Sequence, residues 1–355
     1  MIYREAGQFH STYEEDQRIF PIRQDRIAVA AILAVAFVAV PLAGNDYWFS
    51  AILIPFLILS LAALGLNILT GYAGQLSLGS AAFMAVGAFA AFNLMLRVPG
   101  LPLLAAFFLA GLITASVGLF FGLPSLRIKG FYLAVTTLAA QFFIEWALTK
   151  FSWFSNNNPS GVISAQKMVI FGYRFATPVS RYLLTLSIVT VLALAAKNLV
   201  RSRIGRAWMA VRDMDVAAEV IGIPMLRTKL LAFAVSSFYC GIAGALWAFA
   251  YLGSVEPQAF DLTRSFQILF MIIIGGMGSV LGAFLGAGFI TLLPILLNVG
   301  AHSLFSGRVS QSLLSNLELM LFGALIILFL ALEPYGLARL WQIGKEKLRL
   351  WPFPH

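Results

Sequence analysis

Ten runs of apolar residues constrain this chain more than any other feature. They fall at about 27–43, 50–69, 77–96, 101–122, 131–149, 181–198, 230–252, 265–276, 280–298 and 316–332. Nine of them are 17 to 23 residues long and the eighth is shorter. Hydrocarbon about 30 Å thick takes roughly 20 apolar residues per helical crossing. With 60% hydrophobic and 11% charged residues among 355, the composition is that of a polytopic membrane protein. The fold expected is therefore all-α: a helix bundle of about ten transmembrane segments, some of them broken by glycine.

Ten crossings place both termini on one side. Basic residues decide which side, because Lys and Arg accumulate on cytoplasmic loops. Of the 24, the topology puts 17 inside: four in the tail 1–26, Arg127 and Lys129, seven from Lys197 to Lys229, and Arg339, Lys345, Lys347 and Arg349. Seven fall outside: Arg97, Lys150, Lys167, Arg174, Arg181, Arg264 and Arg308. The net charge of +9 follows from this asymmetry and not from a nucleic-acid surface. The chain divides into a cytoplasmic tail 1–26, a membrane domain 27–338 and a cytoplasmic tail 339–355. Residues 1–26 mix four Arg with five acids, unlike a secretory leader, so the first run is read as a retained helix. A single cysteine, Cys240, excludes an internal disulfide.

One stretch interrupts the apolar pattern with charge. The cytoplasmic island 202–229, SRIGRAWMAVRDMDVAAEVIGIPMLRTK, holds Arg203, Arg206, Arg212, Arg227 and Lys229 with Asp213, Asp215 and Glu219. Asp215 is placed to cap a short helix running through Ile221, which Gly222 and Pro224 stop. Such a helix, roughly 10 Å long at 1.5 Å per residue, spans nothing and serves as a plug for a soluble partner. Trp208 and Met209 read either as anchors at the membrane surface or as contacts for that partner. On the other side, the loop 151–180 carries the turn cluster Asn156-Asn157-Asn158-Pro159-Ser160-Gly161.

Two glycine-rich breaks stand inside apolar sequence. The first contains Gly71, Gly74, Gln75, Ser77 and Gly79; the second contains Gly275, Gly276, Gly278 and Ser279. Irregular backbone at membrane depth survives only where protein or a water-filled cavity satisfies its polar groups. The breaks are either tightly packed turns or the lining of a translocation path, as interrupted helices are in many transporters. Gln75 and Ser77 either contact a polar solute or satisfy the loop's own backbone. Small residues at Gly79, Gly87, Gly282, Gly286 and Gly288 allow close helix approach.

Catalytic chemistry is scarce. The histidines, His10, His302 and His355, are scattered, and no HExxH, GxSxG or GxxxxGK[ST] pattern exists. Neither a metal site nor an ATP site is expected in this chain. Glu145 lies one to two turns from the outer end of its helix and Glu318 and Glu333 sit at helix ends, so no midplane carboxylate marks an ion-coupled secondary carrier.

Five stretches in register resemble the inner-membrane permeases of the branched-chain amino acid ABC importers, most closely the M-type subunit of the high-affinity system. They are LTGYAGQLSLGSAAFMAVGAF (69–89), SLRIKGFYLAVTTLA (125–139), SRIGRAWMAVRDMDVAAEVIGI (202–223), TKLLAFAVSSFYCGIAGALWA (228–248) and SFQILFMIIIGGMGSVLGAFLGA (265–287), with EPYGLARL (333–340) near the end. The resemblance implies that the island is the coupling loop. Ala217-Ala218-Glu219 followed by Gly222 is similar to the EAA-type signature, with Arg206, Arg212, Asp213 and Asp215 flanking it. It further implies two ATPase partner subunits that use ATP and Mg, a second permease as heterodimer or homodimer, and an external solute-binding protein. The setting implied is the bacterial-type inner membrane and its lipid. Urea and short-chain amide importers have similar permeases and stand as the alternative. This chain has Asn156-Asn157-Asn158-Pro159 where the family commonly has a TGG-like exterior turn.

Overall fold

The computed structural model describes residue 12 and residues 23–125, 132–158, 162–165, 168–170, 173–305, 311–332 and 335–350. Arg127, Lys129, Pro159, Lys167, Arg308 and Glu333 lie outside the described residues.

All ten apolar runs are helical. The first is α1 (Arg23–Ala34), which passes through a π-turn (Val35–Ala39) into α2 (Val40–Ala43). A second π-turn (Trp48–Leu53) leads into α3 (Ile54–Asn67), which ends in a third (Ile68–Tyr72). Then follow α4 (Ser80–Arg97), α5 (Leu103–Ser125), α6 (Tyr132–Lys150) and α7 (Pro178–Arg201). The island forms α8 (Arg203–Asp213) and α9 (Asp215–Val220). After it come α10 (Met225–Leu246), continued by a π-turn (Trp247–Leu252), α11 (Leu262–Gly275), α12 (Val280–Phe305), α13 (Gln311–Leu332) and α14 (Gly336–Leu350).

Eight helical stretches among the described residues are long and apolar enough to cross a membrane. α11 is not one of them. Its 14 residues reach only about 21 Å at 1.5 Å per residue, two thirds of the hydrocarbon thickness. The strands are vestigial: β1 (Ile163–Ser164) pairs antiparallel with β4 (Ser254–Val255), and β2 (Val169–Ile170) with β3 (Tyr173–Arg174). The first pair joins the long 151–180 loop to the segment before α11. Asn156 and Asn157 both take positive φ, consistent with the turn read from the sequence.

The core is organised around α10. Its small residues let three helices approach at backbone distance, where dispersion contacts take the place of a hydrophobic driving force. Gly241 lies against Gly87 of α4 and Thr114 of α5. Gly244 meets the carbonyl of Met84, and Gly65 of α3 packs on Tyr239 and Ser236. α12 closes on α11 in the same manner, Gly286 against Met271 and Gly282 against Gly275.

Candidate translocation and coupling site

The island is more structured than its sequence indicates. Ser202 caps α8, its Oγ accepting from the Ile204 amide at 3.2 Å. Trp208 faces neither membrane nor partner. It is fully buried, and its Nε1–H donates to the Thr228 carbonyl at 3.0 Å, tying α8 to the first turn of α10. A single extended residue, Met214, separates α8 from α9. Met214, not Asp215, therefore holds the N-cap position, and it makes no side-chain cap bond. Asp215 is the first helical residue instead, where its carboxylate favours the helix N-terminus; it also lies 3.7 Å from Lys229 Nζ. The stop is as expected. Gly222 takes φ +89°, its amide donates to the Glu219 carbonyl, and the Ile223 amide donates to the Ala218 carbonyl, both at 3.0 Å. These two bonds make a Schellman ending. Ala218 is the buried residue of α9. Met214, Val216, Val220 and Ile221 are exposed, and with Ala217 and Glu219 they form an outward surface.

Arg212 carries this structure to the membrane domain. Its Nη1 donates to the Gly71 carbonyl at 2.9 Å, while Nε and Nη2 engage Asp213 at 2.8 Å. The Asp213 pair is largely exposed and contributes little, since surface pairs are worth about 0–1 kcal/mol. The bond to Gly71 matters more, because it satisfies a carbonyl of the first break. A Cβ on Gly74 would stand 2.9 Å from the Arg212 Cγ. Arg206, by contrast, is exposed on α8.

The two glycine breaks meet each other through a residue that sequence reasoning passed over. Asn67, fully buried at the end of α3, donates from Nδ2 to the Ser279 carbonyl at 2.7 Å and accepts the Gly278 amide at 2.8 Å. Gly71 abuts Gly278 so closely that a side chain on it would collide with both Gly278 and Asn67. Ser279 also begins α12, its Oγ accepting from Gly282. Gly275 packs against α12 at Gly282. Gly276 sits at φ +114° with the Tyr335 carbonyl 2.5 Å from where its Cβ would be, so α14 docks on this turn. Only the polar amide of Asn67, at the end of an otherwise apolar run, marked it in the sequence.

Above this junction the first break is not a turn. Residues 74–79 form a non-helical stretch, with Gln75, Ser77 and Gly79 buried and Gly74 and Leu76 exposed, before α4 begins at Ser80, three residues later than the apolar pattern implies. Its polar groups are met piecemeal. The Gln75 amide donates to the Leu69 carbonyl at 3.0 Å, and its Nε2 reaches the Lys229 carbonyl at 3.4 Å. The Leu78 amide donates to Thr137 Oγ1 of α6, and the Gly79 amide to Ser77 Oγ. Ser77 thus serves the loop's own backbone. Among the described residues Gln75 Oε1 is buried with no hydrogen-bond partner.

At the top of this stretch, α4 and α11 begin side by side. Gln141 of α6 accepts the Ala82 amide at 2.8 Å and the Ser265 hydroxyl at 3.0 Å, and it donates to the Phe260 carbonyl at 2.8 Å. Ser265 Oγ accepts the Ala81 amide at 2.9 Å. Gln141 is the tenth of the nineteen residues of α6. Both helix N-termini therefore lie at the middle depth of a spanning helix. This corrects the exterior placement of Arg264. The segment Pro257–Phe260 dips into the bundle, so Arg264, in the first turn of α11, stands below the surface. An apolar run read by itself cannot reveal such re-entry.

The family described as "Branched-chain amino acid transport system / permease component" matches residues 48–330. The chain is 31% identical over 297 residues to the high-affinity branched-chain amino acid transport system permease protein LivM of Salmonella typhimurium, covering 77% of this chain and 66% of that protein. The LivM protein of Escherichia coli gives the same figures. A probable LivM of Methanocaldococcus jannaschii is 27% identical over 244 residues, 66% of this chain and 68% of that one. The chain thus spans about two thirds of the length of these curated relatives. No solved structure matches it. The glycine breaks and the island lie within the matched span, and the chain belongs to the family of branched-chain amino acid transport system permease components.

Proposed function

We propose that this chain is the membrane-spanning subunit of an ATP-binding-cassette importer in a bacterial-type inner membrane, passing a branched-chain or related amino acid delivered by an external solute-binding protein. It works with a second permease and with two ATPase subunits that bind ATP and Mg. This chain supplies the path and the mechanical link, not the hydrolysis. Both termini face the cytoplasm, in keeping with the distribution of Lys and Arg.

The observation that carries the reading is the bond from Arg212 to Gly71. Three residues beyond Arg212 the chain enters α9, whose exposed Val216 and Val220, with the flanking Met214 and Ile221, form an apolar surface outside the bundle. Such a patch on a cytoplasmic segment favours a protein partner. A push on α9 reaches the first break through Arg212 and the second through Asn67, in one short run of hydrogen bonds. Rigid capping supports this role, since a frayed helix transmits no displacement.

The test alters the outward surface without touching the bundle. Nothing lies within 4 Å of a Cβ on Gly222, so Gly222→Val acts only by forcing a β-branched residue to positive φ, a strain of about 1–3 kcal/mol. Glu219→Lys reverses an exposed charge. Both variants are expected to insert normally and to lose most binding-protein-stimulated ATP hydrolysis after reconstitution with the ATPase subunits. Full stimulation in both would remove α9 from the coupling path.

A further inference from the structure

We infer that Arg264 is the residue that receives the carboxylate of the amino acid in transit, at the middle of the membrane domain. The inference rests on the amino-acid importer reading above and names the part of the path where the solute is held.

Three observations converge on this guanidinium. The first is its place. α11 is a partial span, and its first turn is fixed by Gln141 at the midpoint of α6. Discontinuous helices in transporters present their N-termini to anionic groups of the substrate near the bilayer midplane, and Arg264 projects from such an N-terminus. The second is its incomplete pairing. Nη1 donates to Gln267 Oε1 at 2.9 Å, and the guanidinium carbon lies 4.6 Å from the Trp247 ring centroid. Among the described residues Nε is buried with no hydrogen-bond partner, and no carboxylate lies within salt-bridge distance. Asp261, the acid on the same turn, spends Oδ1 on the Arg264 backbone amide at 2.9 Å. A charge partly withdrawn from water with no direct ion pair is costly, and a spanning segment retains one where a ligand or pathway uses it.

The third observation is chemical fit. A guanidinium stacked on an indole keeps its plane fixed, and its free N–H groups match a carboxylate two at a time. Trp247 and Tyr251, with ring centroids 4.5 Å apart, supply an apolar wall beside it. Asp261 and Glu256 on the re-entrant segment bring negative charge suited to an ammonium group. The combination accepts a zwitterion and disfavours a dianion. A urea or simple amide has no carboxylate to offer this site.

The experiment uses the assembled transporter in micelles, without its binding protein, and measures leucine and leucinamide binding by saturation-transfer NMR titration. Leucine is expected to bind the parent with millimolar affinity and leucinamide at least tenfold more weakly. Arg264→Gln should weaken leucine at least tenfold and leave leucinamide unchanged. Arg264→Lys, which keeps the charge without the fork, should fall between, and it decides the matter if the Gln variant does not assemble. Equal binding of the two ligands, no leucine binding to the parent, or parental affinity in the Lys variant when that variant alone assembles would overturn the assignment. So would parental affinity in Arg264→Gln. Leucine uptake by parent proteoliposomes carrying the binding protein separates these outcomes from failure of the importer reading, which would abolish uptake in the parent itself.

Discussion

Replacing Asn67 by Leu tests whether the two glycine breaks act as one unit. The substitution keeps the branched shape and removes the amide that spans them. The Gly278 amide, partly buried, loses its acceptor, at about 1–3 kcal/mol. The Ser279 carbonyl loses the Asn67 donor but keeps the Ala283 amide at 3.3 Å, so its share is nearer about 1 kcal/mol. Asn67 is fully buried, so water does not reach its side of either bond. The expected loss is therefore roughly 2–4 kcal/mol by these unit costs. Unfolding in mixed micelles titrated with sodium dodecyl sulfate reads that loss, and leucine uptake by reconstituted transporter reads its consequence, expected to be at least a tenfold drop. Asn67→Asp keeps an acceptor for Gly278 but sets an anion against the Ser279 carbonyl, so it should also be destabilised. A stability change within about 0.5 kcal/mol, the scale of an inconsequential surface substitution, together with parental uptake in Asn67→Leu, would refute the linkage.

Other changes probe neighbouring contacts. Gly276→Leu places a branched side chain at φ +114° against the Tyr335 carbonyl; uptake should be abolished while the ATPase subunits still co-purify, and unchanged uptake would return this turn to ordinary packing. Trp208→Phe removes the donor to the Thr228 carbonyl, a loss of about 0.5–1.5 kcal/mol, and should quicken proteolysis within 202–229; unaltered cleavage would show that α8 is held by other contacts.

Much of the fold was legible from the apolar runs, because hydrocarbon leaves a backbone few ways to satisfy itself. The boundaries of α9 were nearly legible too, since Gly222 at positive φ leaves few alternatives to a helix stop. Trp208 was misread because its neighbours are charged, while its own environment is set by α10, twenty residues further on. Asn67 and Gln141 were missed for a related reason. Each is one polar residue in an apolar run, and its partners lie at least 211 residues away for Asn67 and at least 59 for Gln141.

The sequence by itself determined a multi-helix membrane protein and the existence of two backbone breaks. These follow from local composition, because transfer into hydrocarbon and positive φ are settled residue by residue. Only the tertiary structure decided that the breaks touch, that Arg212 reaches one of them, and that α11 starts half-way through the bundle with Arg264 at its head. Those facts depend on which amides and carbonyls find one another across long separations, and no local pattern encodes that pairing.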